Sequence, residues 1–249
     1  MNYLGLTRSA RALDHLLQTP DTFVRASLPG MRNATAIVHI APALGARFTC
    51  YTAEFEPGGS LPTAEDQRFV YVLDGALLAG AKRLTVGGYA YVPPGPPVGN
   101  VGDVGDVTPI SAVGVARAVV FEKPYVALAG TKPPKAFMGH DAENPVTLLN
   151  DDPGLEVRQL VPDDPAWDFR VNTMTYQPGA ALPAVEIHVM EHGLLMLDGG
   201  GVYRLGASWY PVGAGDVIWM APYCPQWFGA IGKTPARYLI YKDWDRHPR

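Results

Sequence analysis

The segment Glu186-Ile-His188-Val-Met-Glu191-His192-Gly193 concentrates side chains that can do chemistry. Glu186, His188 and His192 stand at even spacing, so in an extended strand all three project to one face while Glu191 points to the other. Imidazole and carboxylate donors converging on one face suit a first-row divalent ion, which polarises a small molecule when held in a concave, partly dry setting. The competing reading is an ordinary polar pair of histidines on a solvated strand face, and the surrounding sequence argues against it.

The elements that must position these donors are strands. Short runs rich in Val, Tyr, Phe and Ile recur between Gly and Pro turns, as at Arg68–Leu73, Tyr89–Val92 and Val217–Met220. Helix periodicity is confined to a short opening segment, Ala10 to Gln18, which is expected to be helical. The chain also repeats. Phe69-Val-Tyr-Val-Leu-Asp-Gly75 matches Gly193-Leu-Leu-Met-Leu-Asp-Gly199, and Gly87-Gly-Tyr-Ala-Tyr-Val-Pro-Pro94 matches Gly215-Asp-Val-Ile-Trp-Met-Ala-Pro222. A Pro-Gly turn precedes each copy (Pro57-Gly58, Pro178-Gly179), and an apolar strand ending in Lys123 or Lys242 follows it. The stretch from Ala127 to about Pro145, rich in Gly, Pro, Lys and Ala, is the expected linker, giving domains 1–130 and 131–249. Each must bury one face of its sheets and avoid open edges, for which a jelly-roll barrel is one solution and an immunoglobulin-like sandwich the competitor.

Between the Pro178-Gly179 turn and the Leu197-Asp-Gly199 turn, the donor segment resembles the first motif of the cupin superfamily, which implies an all-β bicupin of two tandem jelly-roll β-barrels. The usual cupin order is His-x-His, then Glu, then a later His; this chain has Glu186-x-His188, His192 and then Gln226. The added oxygen donors favour a harder ion such as manganese. A narrower resemblance follows. Glu186-x-His-x-x-x-His-Gly193, Gly201-x-Tyr-Arg-Leu205, Trp219-Met-Ala-Pro-Tyr-x-Pro-Gln-Trp227 and Arg237-Tyr-Leu-x-Tyr-Lys-Asp243 resemble the ureidoglycine aminohydrolase family.

That resemblance implies one Mn2+ per chain in the C-terminal cupin, on Glu186, His188, His192 and Gln226, with Tyr203, Tyr238 and Lys242 lining the substrate site. It implies hydrolysis of (S)-2-ureidoglycine to (S)-ureidoglycolate and ammonia in allantoin and purine degradation. Lys242 would pair with the substrate carboxylate, and Glu186 would contact substrate and transfer protons. Because the fold hosts many chemistries, a metal-dependent dioxygenase or isomerase is the enzymatic competitor, and a non-catalytic binding or storage bicupin is the other class. The N-terminal copy has no histidine in Pro62-Thr-Ala64-Glu65-Asp-Gln67-Arg68 and no donor in Pro93-Pro-Gly-Pro-Pro97, so it is expected to be metal-free and architectural. His15, His39, His140 and His247 form no motif, and Trp209, Trp219, Trp227 and Trp244 are expected in the core or a pocket wall.

Composition narrows the partners. A net charge of -4, with no run of Lys and Arg, argues against nucleic acid. The interrupted opening segment and the lack of a long apolar run argue against a signal peptide or membrane span. Two cysteines in separate halves suggest a reducing compartment. The expectation is a cytoplasmic enzyme acting on a small molecule, assembled as a homo-oligomer.

Overall fold

The apolar runs between turns form strands throughout, and the described residues contain no α-helix and only four short 3-10 segments. The computed structural model describes residues 6–63, 65–95 and 109–246, so Ala64, Pro96, Pro97 and His247 lie outside it. No helix among the described residues is long and apolar enough to cross a membrane.

The chain folds as two units. One takes the chain up to Phe23, Asn144–Asp163 and Phe169 onward; the other takes Val24–Glu143 and Asp164–Asp168. This division departs from a boundary at 130/131 at both ends. Strand Phe137–His140 pairs with Gly88–Val92, and so forms an edge strand of the preceding unit's sheet. The opening segment, expected as helix, instead forms strands Ala10–Arg11 and His15–Gln18. His15–Gln18 pairs with Val217–Met220, and Leu17 is fully buried. The physical reason is an edge: without this partner Val217–Met220 would expose a row of unpaired backbone groups, and covering it outweighs a weak local helix signal.

In the unit that carries the donor segment, an eight-stranded antiparallel sheet continues from Val217–Met220 through His192–Asp198, Ala236–Asp243 and Phe169–Tyr176 to Leu155–Gln159 and Val146–Leu148. A three-stranded sheet of Ser208–Gly213, Gly200–Leu205 and Gln226–Ala230 faces it. Leu194, Ile218 and Ile240 from the first sheet and Tyr203, Leu205 and Phe228 from the second share one buried cluster. The other unit builds a comparable sheet on the twelve-residue strand Thr49–Ser60, with Val70, Val72, Leu77 and Val120 in its core.

The sequence repeat is a structural repeat. Asp74 opposes Arg117 and Asp198 opposes Arg237, each beside a register shift in the same strand pairing. The glycine after each aspartate has a left-handed backbone, φ 70° at Gly75 and 63° at Gly199. A Cβ there would stand 2.3 Å from the Val115 carbonyl oxygen or 2.4 Å from that of Pro235. Only glycine fits both constraints, so Leu-Asp-Gly recurs for backbone reasons.

Candidate active site

Glu186 and Gln226 are brought side by side by their backbones. The Glu186 N–H donates to the Gln226 carbonyl at 2.8 Å and the Gln226 N–H to the Glu186 carbonyl at 2.9 Å. This is an isolated bridge: the segment from Glu186 to Met190 is not a strand, and regular pairing begins only at His192. The donors line one cavity all the same. The His188 carbonyl accepts from the Tyr223 N–H at 2.7 Å, which pins that irregular stretch to a turn where Tyr223 adopts φ 65°. Nε2 of His188 lies 3.1 Å from a Glu186 carboxylate oxygen, and the His188 and His192 rings are 5.2 Å apart between centroids.

His192 starts its strand with its ring in the barrel interior, 2% exposed. Its Nδ1 lies 3.2 Å from the Met190 carbonyl oxygen, which can only accept, so Nδ1 carries the proton and Nε2 keeps its lone pair. Burial first, then the nearby Lys242 and His188, hold its pKa well below the ordinary imidazole range. A neutral imidazole with a free Nε2 is the form that ligates a cation.

Lys242 lies directly opposite His192 on strand Ala236–Asp243. Burial lowers its ammonium pKa, and the Glu186 carboxylate opposes that shift. Tyr203 and Tyr238 are buried, and desolvation, with Tyr176 and Glu186 nearby, raises both phenol pKa values well above normal, so both hydroxyls stay protonated. The Tyr203 hydroxyl reaches toward the Gln226 side-chain oxygen at 3.5 Å, a long contact. Tyr238 shares a 2.8 Å hydrogen bond with the Tyr176 hydroxyl.

One cavity of about 170 Å³ is lined by Glu186, His188, His192, Gln226, Tyr203, Tyr238 and Lys242, all the residues that the motifs single out. Met174, Met190, Ile240 and Trp244 add an apolar wall. Two imidazoles, a carboxylate and a side-chain amide oxygen around a half-enclosed space fit a divalent first-row ion. Glu191 is absent from the cavity lining, as alternation predicts, but it is buried rather than solvated, 1% exposed, and accepts from the Trp219 indole N–H at 3.1 Å. Spacing in sequence did not reach Tyr176, because its link to Tyr238 depends on the pairing of Phe169–Tyr176 with Ala236–Asp243. The Met190 carbonyl carries no sequence signal at all.

The cupin domain family matches residues 172–241. Over 98% of its length the chain is 41% identical to an (S)-ureidoglycine aminohydrolase of Arabidopsis thaliana, of which it spans 80%. The chain belongs to the (S)-ureidoglycine aminohydrolase family. A second relative in this family, from Escherichia coli, is 30% identical over 92% of this chain and 88% of its own. Among solved structures, a putative glyoxylate-induced protein of Pseudomonas aeruginosa superposes with a TM-score of 0.85 at 28% identity, covering 100% of this chain and 95% of that one. Family membership makes the chain a hydrolase and sets aside the dioxygenase, isomerase and storage alternatives.

Proposed function

We propose that this enzyme hydrolyses (S)-2-ureidoglycine to (S)-ureidoglycolate and ammonia, using one Mn2+ held by Glu186, His188, His192 and Gln226. The observation that carries the reading is the single cavity lined by all four donors together with Tyr203, Tyr238 and Lys242, in a chain 41% identical to an enzyme of that name. A divalent ion on these four residues would supply Lewis acidity. The protein's own groups do the rest. Lys242 pairs its ammonium with the substrate carboxylate, a compact point charge in a desolvated site. Tyr203 and Tyr238, held protonated, donate hydrogen bonds to the ureido end. Glu186, beside His188 at 3.1 Å, carries protons between water and the departing amine. One C–N bond breaks, one C–O bond forms from water, and the amine leaves as ammonia. The apolar wall of Met174, Met190 and Trp244 limits bulk water around the reacting carbon.

The same reading places the enzyme in allantoin and purine degradation, in the cytoplasm, as a homo-oligomer. Cys50 and Cys224 are both free and buried, which suits a reducing compartment. The test is ammonia release from freshly generated (S)-ureidoglycine by manganese-loaded protein, corrected for spontaneous decay, beside Glu186→Ala and His188→Ala. Release by the wild type alone is expected; wild-type release at the background rate would sink the proposal.

A further inference from the structure

Asp14, His15 and Cys224 do not line the active-site cavity and take no part in the reaction above. One donor atom from each lies within 4.8 Å of the other two, and they are the one such group of His, Cys, Asp and Glu side chains among the described residues. His15 Nδ1 lies 2.8 Å from an Asp14 carboxylate oxygen, and His15 Nε2 lies 2.9 Å from the Tyr210 hydroxyl. His15 and Cys224 are buried, whereas the Asp14 side chain is 44% exposed, so the cluster is closed on the protein side and meets water through the carboxylate. With Tyr210 engaging Nε2, Nδ1 faces Asp14. A partner on the outer nitrogen is what fixes the ring of a metal-binding histidine.

We propose that Asp14, His15 and Cys224 form a second cation site, taking a thiolate-compatible divalent ion such as Zn2+ with its fourth position filled by water. One sulfur, one imidazole nitrogen and one carboxylate oxygen are zinc donors, and the set is softer than the one on Glu186, His188, His192 and Gln226. The two sites therefore select different ions. On binding, the Cys224 thiol gives its proton to solvent, the His15 ring proton moves from Nδ1 to Nε2, where the Tyr210 hydroxyl accepts from it, and bonds to the ion replace the hydrogen bond between Asp14 and His15. The ion joins strand His15–Gln18 to the turn from Ala221 to Cys224 that runs into Gln226, fastening the opening segment to the barrel rim. The inference stands on this geometry and is independent of the aminohydrolase reading.

The experiment is a Co2+ titration of the full-length, metal-stripped protein followed by absorption, with Zn2+ as competitor. A near-ultraviolet thiolate-to-cobalt band is expected in the wild type and in Glu186→Ala/His188→Ala, is abolished by Zn2+, and is absent from Cys224→Ser. Cys50→Ser, which alters the other cysteine, is expected to keep it. Asp14→Asn, at a half-exposed position, is expected to lose most of the band and supplies the comparison if Cys224→Ser does not fold. A wild-type titration with no thiolate band, or a band unchanged in Cys224→Ser or in Asp14→Asn, overturns the site.

Discussion

His192 stands opposite Lys242 in one unit, and at the matching place of the repeat Arg68 stands opposite Glu122 in the other. The two pairs have different fates. Arg68 Nε donates to a Glu122 oxygen at 2.6 Å, the same oxygen accepts from the Tyr51 hydroxyl at 2.9 Å, and Arg68 Nη1 donates to the Pro62 carbonyl at 2.7 Å. Arg68 is 4% exposed, so charge and hydrogen bonds are satisfied inside the protein. Around His192 and Lys242, by contrast, the polar groups face a cavity. The same strand positions thus give a self-neutralised ion pair or a set of donors left open for a ligand. What separates the two places is whether the side chains pair with one another or face open space, because the strands beneath them follow one plan.

The hardest test of this contrast grafts one pair onto the other. His192→Arg with Lys242→Glu would place a self-satisfying ion pair in the active-site cavity. Ammonia release is expected to fall by roughly 1,000-fold or more, the equivalent of several kcal/mol of lost charge stabilisation, in a protein whose circular dichroism is unchanged. A graft that keeps a tenth of the wild-type rate would show that the open donors are not what distinguishes the two units.

The reverse change acts on stability. Arg68→Ala leaves the Glu122 carboxylate and the Tyr51 hydroxyl beside it without their cation. Arg68 is buried while the Glu122 side chain is 20% exposed, so breaking the pair from one side costs about 1–3 kcal/mol, and replacing both partners with apolar groups recovers most of it. In urea denaturation Arg68→Ala should therefore unfold much earlier than Arg68→Met/Glu122→Leu, with turnover per folded molecule near wild type in both. Equal midpoints for the two variants would mean that the ion pair does not hold this unit together.

The fold was legible in the residues because its signals are local: Leu-Asp-Gly before a left-handed glycine, and apolar strands between Pro-Gly turns. The grouping of the candidate site residues around one cavity was legible for a different reason, since Glu186, His188 and His192 are close in sequence and Gln226 and Lys242 stand in motifs. The strand drawn through Glu186 and His188 was not there; a single backbone bridge to Gln226 and the contact with Tyr223 hold that stretch instead. The misread opening segment and the missed Asp14, His15 and Cys224 cluster share one cause. Both arise from contacts across some 200 residues, His15 to Met220 and His15 to Tyr210, and no periodicity within either segment encodes them.

The smallest expected effect separates two histidines that are both held neutral. His192 is neutral in an open site, whereas His39 is sealed in the other unit, its Nε2 2.8 Å from the Thr52 hydroxyl. Burial, with a smaller push from Arg117, lowers the His39 pKa to about 3, against about 6.5 for a free imidazole. Because the folded value lies below the unfolded one, the unfolded chain binds a proton in this window that the folded chain refuses. The stability from His39 is fully present above about pH 6.5 and declines as pH falls toward 3. Between pH 7 and 5.5 the loss is about 1 kcal/mol. His39→Gln removes this titration while keeping a hydrogen-bonding group for Thr52, so its urea midpoint should fall less steeply over that range, with or without manganese. Parallel slopes for the two proteins would show that His39 titrates alike in the folded and unfolded chains, and would overturn the depressed value that its burial beside Arg117 implies.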